Sequence, residues 1–238
     1  MTSAPPDPCT YTLDGDVGVI TLDDGKANVI THGVLTAFHD ALDRAEREAG
    51  AVLICGREGY LSGGFDLAEM TAGPERARAL VTAGARLHTR LHTFPRPVVV
   101  AVTGHAVAAG AILLLVTDWN VGEQGRYRIG LPETTIGMPL PHFAVAYARA
   151  RLSPPQFGPA TDLGAMYDPS GALAAGFLHA LVAPGEAREA ALAEAHRLAG
   201  SIHPAAFALT RERTRRPLAE AVLDVLDDDV AELTTGAG

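Results

Sequence analysis

The chain has 238 residues, 47% hydrophobic and 20% charged, with a formal net charge of -9. That length suits one large domain, alone or with a small appendage, and the apolar content supports a sizeable core while excluding disorder. The acidic balance excludes nucleic acid or an anionic membrane as the main partner, because both require a basic face.

The opening MTSAPPDPCT lacks a basic region followed by an apolar stretch, so no signal peptide is expected and residues 1–8 read as a disordered leader. Two cysteines, Cys9 in that polar opening and Cys55 in an apolar run, read as reduced thiols of a cytoplasmic protein. Tyr11 to Leu13 and Val17 to Leu22 flank Asp14-Gly15-Asp16, a hairpin signal. A loop over Asp23 to Asn28 precedes a helix from about Thr31 to Ala49, with Val34, Leu35, Phe38, Ala41, Leu42 and Ala45 at helical spacing. Ala51 to Cys55 reads as a buried strand, Gly56 to Gly64 as a loop, Phe65 to Met70 as a short helix and Pro74 to Thr93 as a longer one. From Val98 to Val116 the only polar side chains are Thr103 and His105. The length approaches a membrane span. Thr103-Gly104-His105 instead reads as punctuation between a buried strand (Val98 to Val102) and a buried helix (Ala109 to Thr117). Strands near Asn120 to Val121 and Tyr127 to Ile129 follow, then a loop at Pro132-Glu133. Helices are expected at Phe143 to Arg151, Ser170 to Ala175 and Ala187 to Ser201, and a charged amphipathic helix to Leu233. Strand and helix alternate throughout, so the class is α/β.

Several chemistries find no support. His88 and His92 stand four apart on one helix, but no acidic residue completes the zinc-protease pattern; they read as solvated, and no metal site is expected. Ser62 lacks the Gly-x-Ser-x-Gly elbow, and no phosphate-cradling glycine motif occurs. Arg211, Arg213, Arg215 and Arg216 form a basic run, read as a solvated helix face or as a phosphate contact.

Two glycine-rich turns, Leu61-Ser62-Gly63-Gly64-Phe65-Asp66-Leu67 and Gly104-His105-Ala106-Val107-Ala108-Ala109-Gly110-Ala111, each run from a loop into a helix. Each can offer an unpaired backbone N–H at a positive helix end. Two such donors aimed at one point make an oxyanion hole. Together the turns resemble the oxyanion-loop motifs of the crotonase (enoyl-CoA hydratase/isomerase) family, the second from Thr103 and closing with Asp118. Ile129-Gly130-Leu131-Pro132-Glu133 with Ile136-Gly137-Met138 resembles that family's catalytic-glutamate segment. The likeness runs from the first hairpin to beyond Val182.

The resemblance implies a crotonase-like spiral of ββα units over residues 9–195 and a C-terminal helical, oligomerising region over 196–238, usually in a homotrimer or dimer of trimers. It assigns the oxyanion hole to the backbone N–H groups of Phe65 and Ala109, the latter where the family usually has glycine. It makes Glu133 the catalytic carboxylate. The family's second glutamate falls at Ile112. Lys26-Ala27-Asn28 looks like the adenine-side loop without its usual Arg-Pro lead-in, with Lys26 and Ala27 as its CoA contacts. Gly63, Gly64, Asp66, Leu67, Gly110, Ile112, Pro132 and Met138 are the remaining substrate contacts. Met70, Leu87, Met138, Leu140, His142 and Phe143 are candidates for an apolar acyl site.

The implied substrate is an acyl-CoA thioester of fatty-acid metabolism, with coenzyme A as part of the substrate and no prosthetic group. Hydration needs polar groups to steer water, and Ile112 with Leu113, Leu114 and Leu115 supplies none. A double-bond shift needs only one carboxylate shuttle, which a dry pocket favours. The expectation is therefore a Δ3,Δ2-enoyl-CoA isomerase. Hydratase is the alternative, with Asp66 or Glu69 as second carboxylate; a non-catalytic acyl-CoA-binding homologue is the alternative of another class. The stripe Leu218, Val222, Val225 and Leu226 fits a partner-facing surface or the chain's own core equally.

Overall fold

The structure, a computed structural model, describes residues 7–235, so most of the leader expected over 1–8 lies outside the described residues. A strand–strand–helix unit repeats along the chain. The first is β1 (Cys9–Asp14), β2 (Val17–Leu22) and α1 (His32–Glu48). The second is β3 (Ala51–Cys55), β4 (Gly59–Ser62), α2 (Leu67–Thr71) and α3 (Pro74–Thr93). The third is β5 (Val98–Val102), β6 (Gly104–Val107) and α4 (Ala109–Val116). The fourth is β7 (Trp119–Glu123), β8 (Ile129–Gly130), a single 3-10 turn (Glu133–Ile136) and α5 (His142–Arg151). Then come α6 (Pro154–Thr161), β9 (Met166–Tyr167), α7 (Pro169–Ala175), β10 (Ala180–Val182), α8 (Ala187–Ser201), α9 (Pro204–Asp224) and α10 (Leu226–Thr235).

The units distribute their strands between two sheets. The larger has the order β1-β2-β3-β5-β7-β10 and is parallel from β2 onward. The smaller, β4-β6-β8-β9, takes the second strand of each of the last three units. Both faces of the larger sheet are covered. Val19, Leu53, Val99 and Ala101 meet Ala191 and Ala195 of α8. Ile20, Ile54, Val98 and Val100 join the main core with Phe38 and Leu42 of α1. Burial on both sides is why β3 and β5 are unbroken apolar runs. Thr31 starts α1 by accepting from the Val34 N–H.

The structure departs from the sequence reading in places. The expected loop over Gly56 to Gly64 contains β4, and the expected punctuation at Gly104-His105 is strand β6. Cys9 belongs to β1 and is buried, not part of a polar leader. Tyr127 lies outside β8; its hydroxyl donates to the carbonyls of Glu123 and Val102 at 2.7 and 3.2 Å. α6, β9 and β10 were not expected. Pro154 opens α6 and Pro159 lies inside it, so proline punctuation masks the helix. The C-terminal stretch is two helices broken at Val225, and both pack on the chain's own α3. Val222 and Leu226 join that core, whereas Val225 is 46% exposed. No helix among the described residues is long and apolar enough to cross a membrane.

Candidate active site

Three adjacent parallel strands of the smaller sheet deliver three loops to one end. β4 runs into Gly63-Gly64-Phe65, β6 into Ala108-Ala109 and β8 into Pro132-Glu133. Ser62 is in register with Ala106, and Val107 with Gly130. Neighbouring strands lie about 4.8 Å apart, so the loops leave the sheet side by side.

Two main-chain amides face out of this end. The Gly64 carbonyl accepts from the Ile30 N–H at 2.8 Å, and Asp66 N–H donates to the Ile30 carbonyl at 3.0 Å. Across a planar trans peptide, the Phe65 N–H therefore points to the opposite side from Ile30. The Ala108 carbonyl accepts from Ala111 and Ile112 at 2.8 and 3.0 Å, which turns the Ala109 N–H out of the N-terminal end of α4. Neither amide has a protein acceptor among the described residues. The turns touch where glycine is required. A Cβ on Gly64, already at φ +95, would lie 3.0 Å from the Ala108 Cβ and 3.6 Å from the Ala109 nitrogen. A Cβ on Gly110 would lie 2.8 Å from the Ser62 Cβ. Ala108 itself sits at φ +52, a conformation costing a non-glycine residue on the order of 1–3 kcal/mol. An alanine held there by its surroundings marks the turn as more than a connection.

Glu133 opens the 3-10 turn and is 8% exposed. Its Oε2 is buried without a hydrogen-bond partner. Burial pushes its carboxyl up to about 7, a bond from its own main chain opposing the rise. A carboxylate so poised exchanges protons near neutrality. Ile112, Leu113, Leu114 and Leu115 are all buried apolar side chains of α4. The two other acidic groups of this end are already engaged. Asp66 caps α2, accepting from the Glu69 N–H at 2.8 Å. Glu69 pairs with the His32 ring and, at 3.4 Å, with Arg76, and its carboxyl is held below the usual carboxylate range, with desolvation opposed by those contacts to His32 and Arg76.

Other candidates divide. Ala27 lies against the first turn, its carbonyl accepting from Gly63 N–H at 2.8 Å, and Lys26 is exposed beside it. The Pro132 carbonyl accepts from the Thr135 N–H and hydroxyl at 2.9 and 2.7 Å, which shapes the turn that carries Glu133. Leu67 and Met138 are 71% and 38% exposed. Leu87 and Phe143 are buried, whereas His142 is exposed. The basic run splits. Arg211 and Arg215 turn inward onto Asp118, each at 2.7 Å, and Arg216 pairs with Glu212 at the surface. Arg211 and Arg215 are thus neither a solvated face nor free for a ligand phosphate. His88 and His92 are not solvated either; they are 1% and 7% exposed. No group of three or more His, Cys, Asp or Glu placed to hold a metal occurs among the described residues.

Asn28, expected as part of the adenine-side loop, also latches that loop to the first turn. At φ +51, its side-chain amide donates to the carbonyls of Leu22, Tyr60 and Leu61, and its own carbonyl accepts from the Ser62 hydroxyl at 2.7 Å. The sequence signal was an asparagine, a residue that tolerates positive φ, just before an apolar helix. Replacing Asn28 with Ala is expected to strand these buried carbonyls and cost about 2–3 kcal/mol. Denaturant melts will show it; an unchanged midpoint would mean the latch carries no weight.

The fold, a spiral of strand–strand–helix units, carries two outward amides and one buried acid at the carboxyl ends of three neighbouring strands. The model of the enoyl-CoA hydratase/isomerase family matches residues 12–233. The chain belongs to that family, the crotonases, and to its fold. A solved enoyl-CoA hydratase/isomerase family protein from Pseudomonas syringae is 40% identical and superposes with a TM-score of 0.93, over 97% of this chain and 100% of that one. An enoyl-CoA isomerase of Mycobacterium tuberculosis is 35% identical with a TM-score of 0.89, over 95% and 99%. A Bacillus subtilis protein described as a probable enoyl-CoA hydratase is 30% identical over 139 residues, 57% of this chain. That match spans 53% of the Bacillus protein, about half its length.

Proposed function

We propose that the chain is a Δ3,Δ2-enoyl-CoA isomerase. The Phe65 and Ala109 amides hold the thioester oxygen. The Glu133 carboxylate removes a proton from C2 of a 3-enoyl-CoA, and the C2–H electron pair spreads over C2, C1 and that oxygen. The protonated Glu133 then gives the same proton to C4, and the double bond settles between C2 and C3. No atom is gained or lost, and no second reactant enters.

The observation that carries this reading is the solitary Glu133 carboxylate. It is buried, unpartnered at Oε2 and raised toward neutrality, while Ile112 is apolar and Asp66 and Glu69 are occupied. A hydratase uses a second group to aim its water; an apolar Ile112 and the engaged Asp66 and Glu69 support the isomerase reading over it. Coenzyme A enters as part of the substrate, with Lys26 and Ala27 on its nucleotide side. Gly63, Gly64, Asp66, Leu67, Gly110, Pro132 and Met138 lie along the thioester. No prosthetic group takes part. The family assembly, a homotrimer or a dimer of trimers in the cytoplasm, completes the reading.

Incubation with 3-enoyl-CoA and 2-enoyl-CoA in heavy-oxygen water tests the choice. The isomerase converts the 3-enoyl ester to the 2-enoyl ester without label. Rapid appearance of labelled 3-hydroxyacyl-CoA would make the protein a hydratase instead.

A further inference from the structure

His88 of α3 is 1% exposed, and its Nε2 lies 3.1 Å from the Ala109 carbonyl oxygen. A carbonyl only accepts, so Nε2 carries the proton and Nδ1 a lone pair. That Nδ1 is buried and has no hydrogen-bond partner. The ring stacks on Phe143, with centroids 6.1 Å apart. Burial holds the imidazole down at about 4, opposed by the bond to Ala109, so it stays a neutral single donor.

The Ala109 carbonyl lies in the first turn of α4, where the helix itself supplies a donor from four residues on. The His88 bond is therefore an added restraint, kept although it leaves one ring nitrogen buried and unpartnered. The residue it restrains bears the second outward amide of the site. On one side the Ala108 N–H donates to the Gly130 carbonyl at 3.0 Å. On the other side His88 grips the Ala109 carbonyl. Between these anchors lie the strained φ of Ala108 and the Ala109 N–H. Without the second anchor, only the α4 bonds from Ala111 and Ile112 to the Ala108 carbonyl oppose relaxation of Ala108, which would carry that N–H off its line.

We propose that His88 is a positioning residue: its Nε2–H, bonded to the Ala109 carbonyl, aims the Ala109 N–H at the substrate's thioester oxygen. The proposal rests on the reading of the Phe65 and Ala109 amides as an oxyanion hole. An aimed donor matters most when the oxygen is most charged, so its loss falls on kcat more than on KM.

The test uses the intact protein and hexanoyl-CoA labelled with carbon-13 at the thioester carbonyl, a saturated ester that cannot isomerise. Infrared difference spectra read the carbonyl stretch, which hydrogen bonding from the hole lowers relative to free ester. His88→Leu is expected to lose most of that lowering and at least about tenfold in kcat, with KM changed less than about twofold. His88→Gln, whose terminal amide reaches the place of Nε2, is expected to keep both. Thr89→Val is the control. Its hydroxyl bonds Ala85 and Tyr147 at 2.9 Å on the same buried helix, so it lowers the melting temperature and leaves the carbonyl band alone. Should His88→Leu not fold, His88→Asn, whose shorter amide falls at Nδ1, replaces it. A normal band and kcat in the Leu or Asn variant, or equal losses in Gln, overturns the proposal. If the wild-type protein itself leaves the band unshifted, the oxyanion-hole reading fails and the His88 proposal falls with it.

Discussion

Glu133→Gln is expected to lower turnover of 3-enoyl-CoA by roughly 10²–10⁴-fold, the usual contribution of a positioned general base. Affinity for a saturated acyl-CoA should change little, because the amide keeps the shape and loses only the proton acceptor. A variant that keeps wild-type turnover would remove Glu133 from the chemistry. A wild-type protein that binds the ester and turns nothing over would make the chain a carrier. The pH dependence has a definite sign. The base acts ionised, and burial raises its carboxyl from the ordinary 4.5 to about 7. The wild-type kcat/KM should therefore fall as pH drops below about 7, and the residual rate of the Gln variant should lack that limb. Stability runs the other way. A carboxyl raised in the folded state favours folding fully below its unfolded value, and that advantage is lost as pH rises from about 4.5 through about 7. Above that window the buried charge costs the wild type up to about 3 kcal/mol. Glu133→Gln should thus melt at or above the wild type at pH 8, with the gap closing toward pH 4. A wild type that melts higher at pH 8 contradicts the burial argument.

How much of this was legible in the sequence depended on the range of the interaction involved. α1 was readable because six apolar residues at helical spacing bury one stripe, and β3 and β5 because both faces are covered. The site turns were readable as glycine patterns because Gly64 and Gly110 are packed too tightly for a side chain. β8 and β9 have two residues each and exist only through their partners, so no local pattern announces them. His88 and His92 were misread because polar residues on a helix normally face water. Here α5 brings Phe143 and Tyr147 against the two rings, centroids 6.1 and 4.9 Å apart, from 55 residues downstream in each case. Arg211 was misread for the same reason, since its partner Asp118 lies 93 positions away.

That pairing carries the largest structural prediction. Asp118 Oδ2 accepts from Arg211 at 2.7 Å and from the Val98 N–H at 2.8 Å, and Oδ1 accepts from Arg215 at 2.7 Å. Arg211 and Arg215 each donate to the His92 carbonyl at 3.2 Å, and Arg215 also reaches Val116 at 3.0 Å. Arg151 joins them at the end of α4, donating to the carbonyls of Leu115 and Thr117. Burial, with Arg215 adding to it, holds Arg151 down to about 10. Two guanidinium groups thus share one carboxylate with a third beside them, and the carbonyl end of α4 offsets the remainder. The same charges, after burial, keep His92 at about 3, so it adds no fourth cation. Asp118→Ala leaves Arg211, 4% exposed at its side chain, without its counter-ion. Breaking a buried pair from one side costs about 3–5 kcal/mol, or about 10 °C of melting temperature at this chain length. Replacing Asp118, Arg211 and Arg215 together with Leu, Met and Met should recover much of that loss, because Arg151 is then the one cation of the cluster left and the Leu115 and Thr117 carbonyls still accept from it. The cluster joins α9 to the strand β5 and to the carbonyl end of α4, whose other end carries the Ala109 amide. Hydrogen exchange on Asp118→Ala should therefore show α9 opening first. Uniform protection across α9, or a melting temperature within about 2 °C of the wild type, would mean that apolar packing alone holds the C-terminal helices in place.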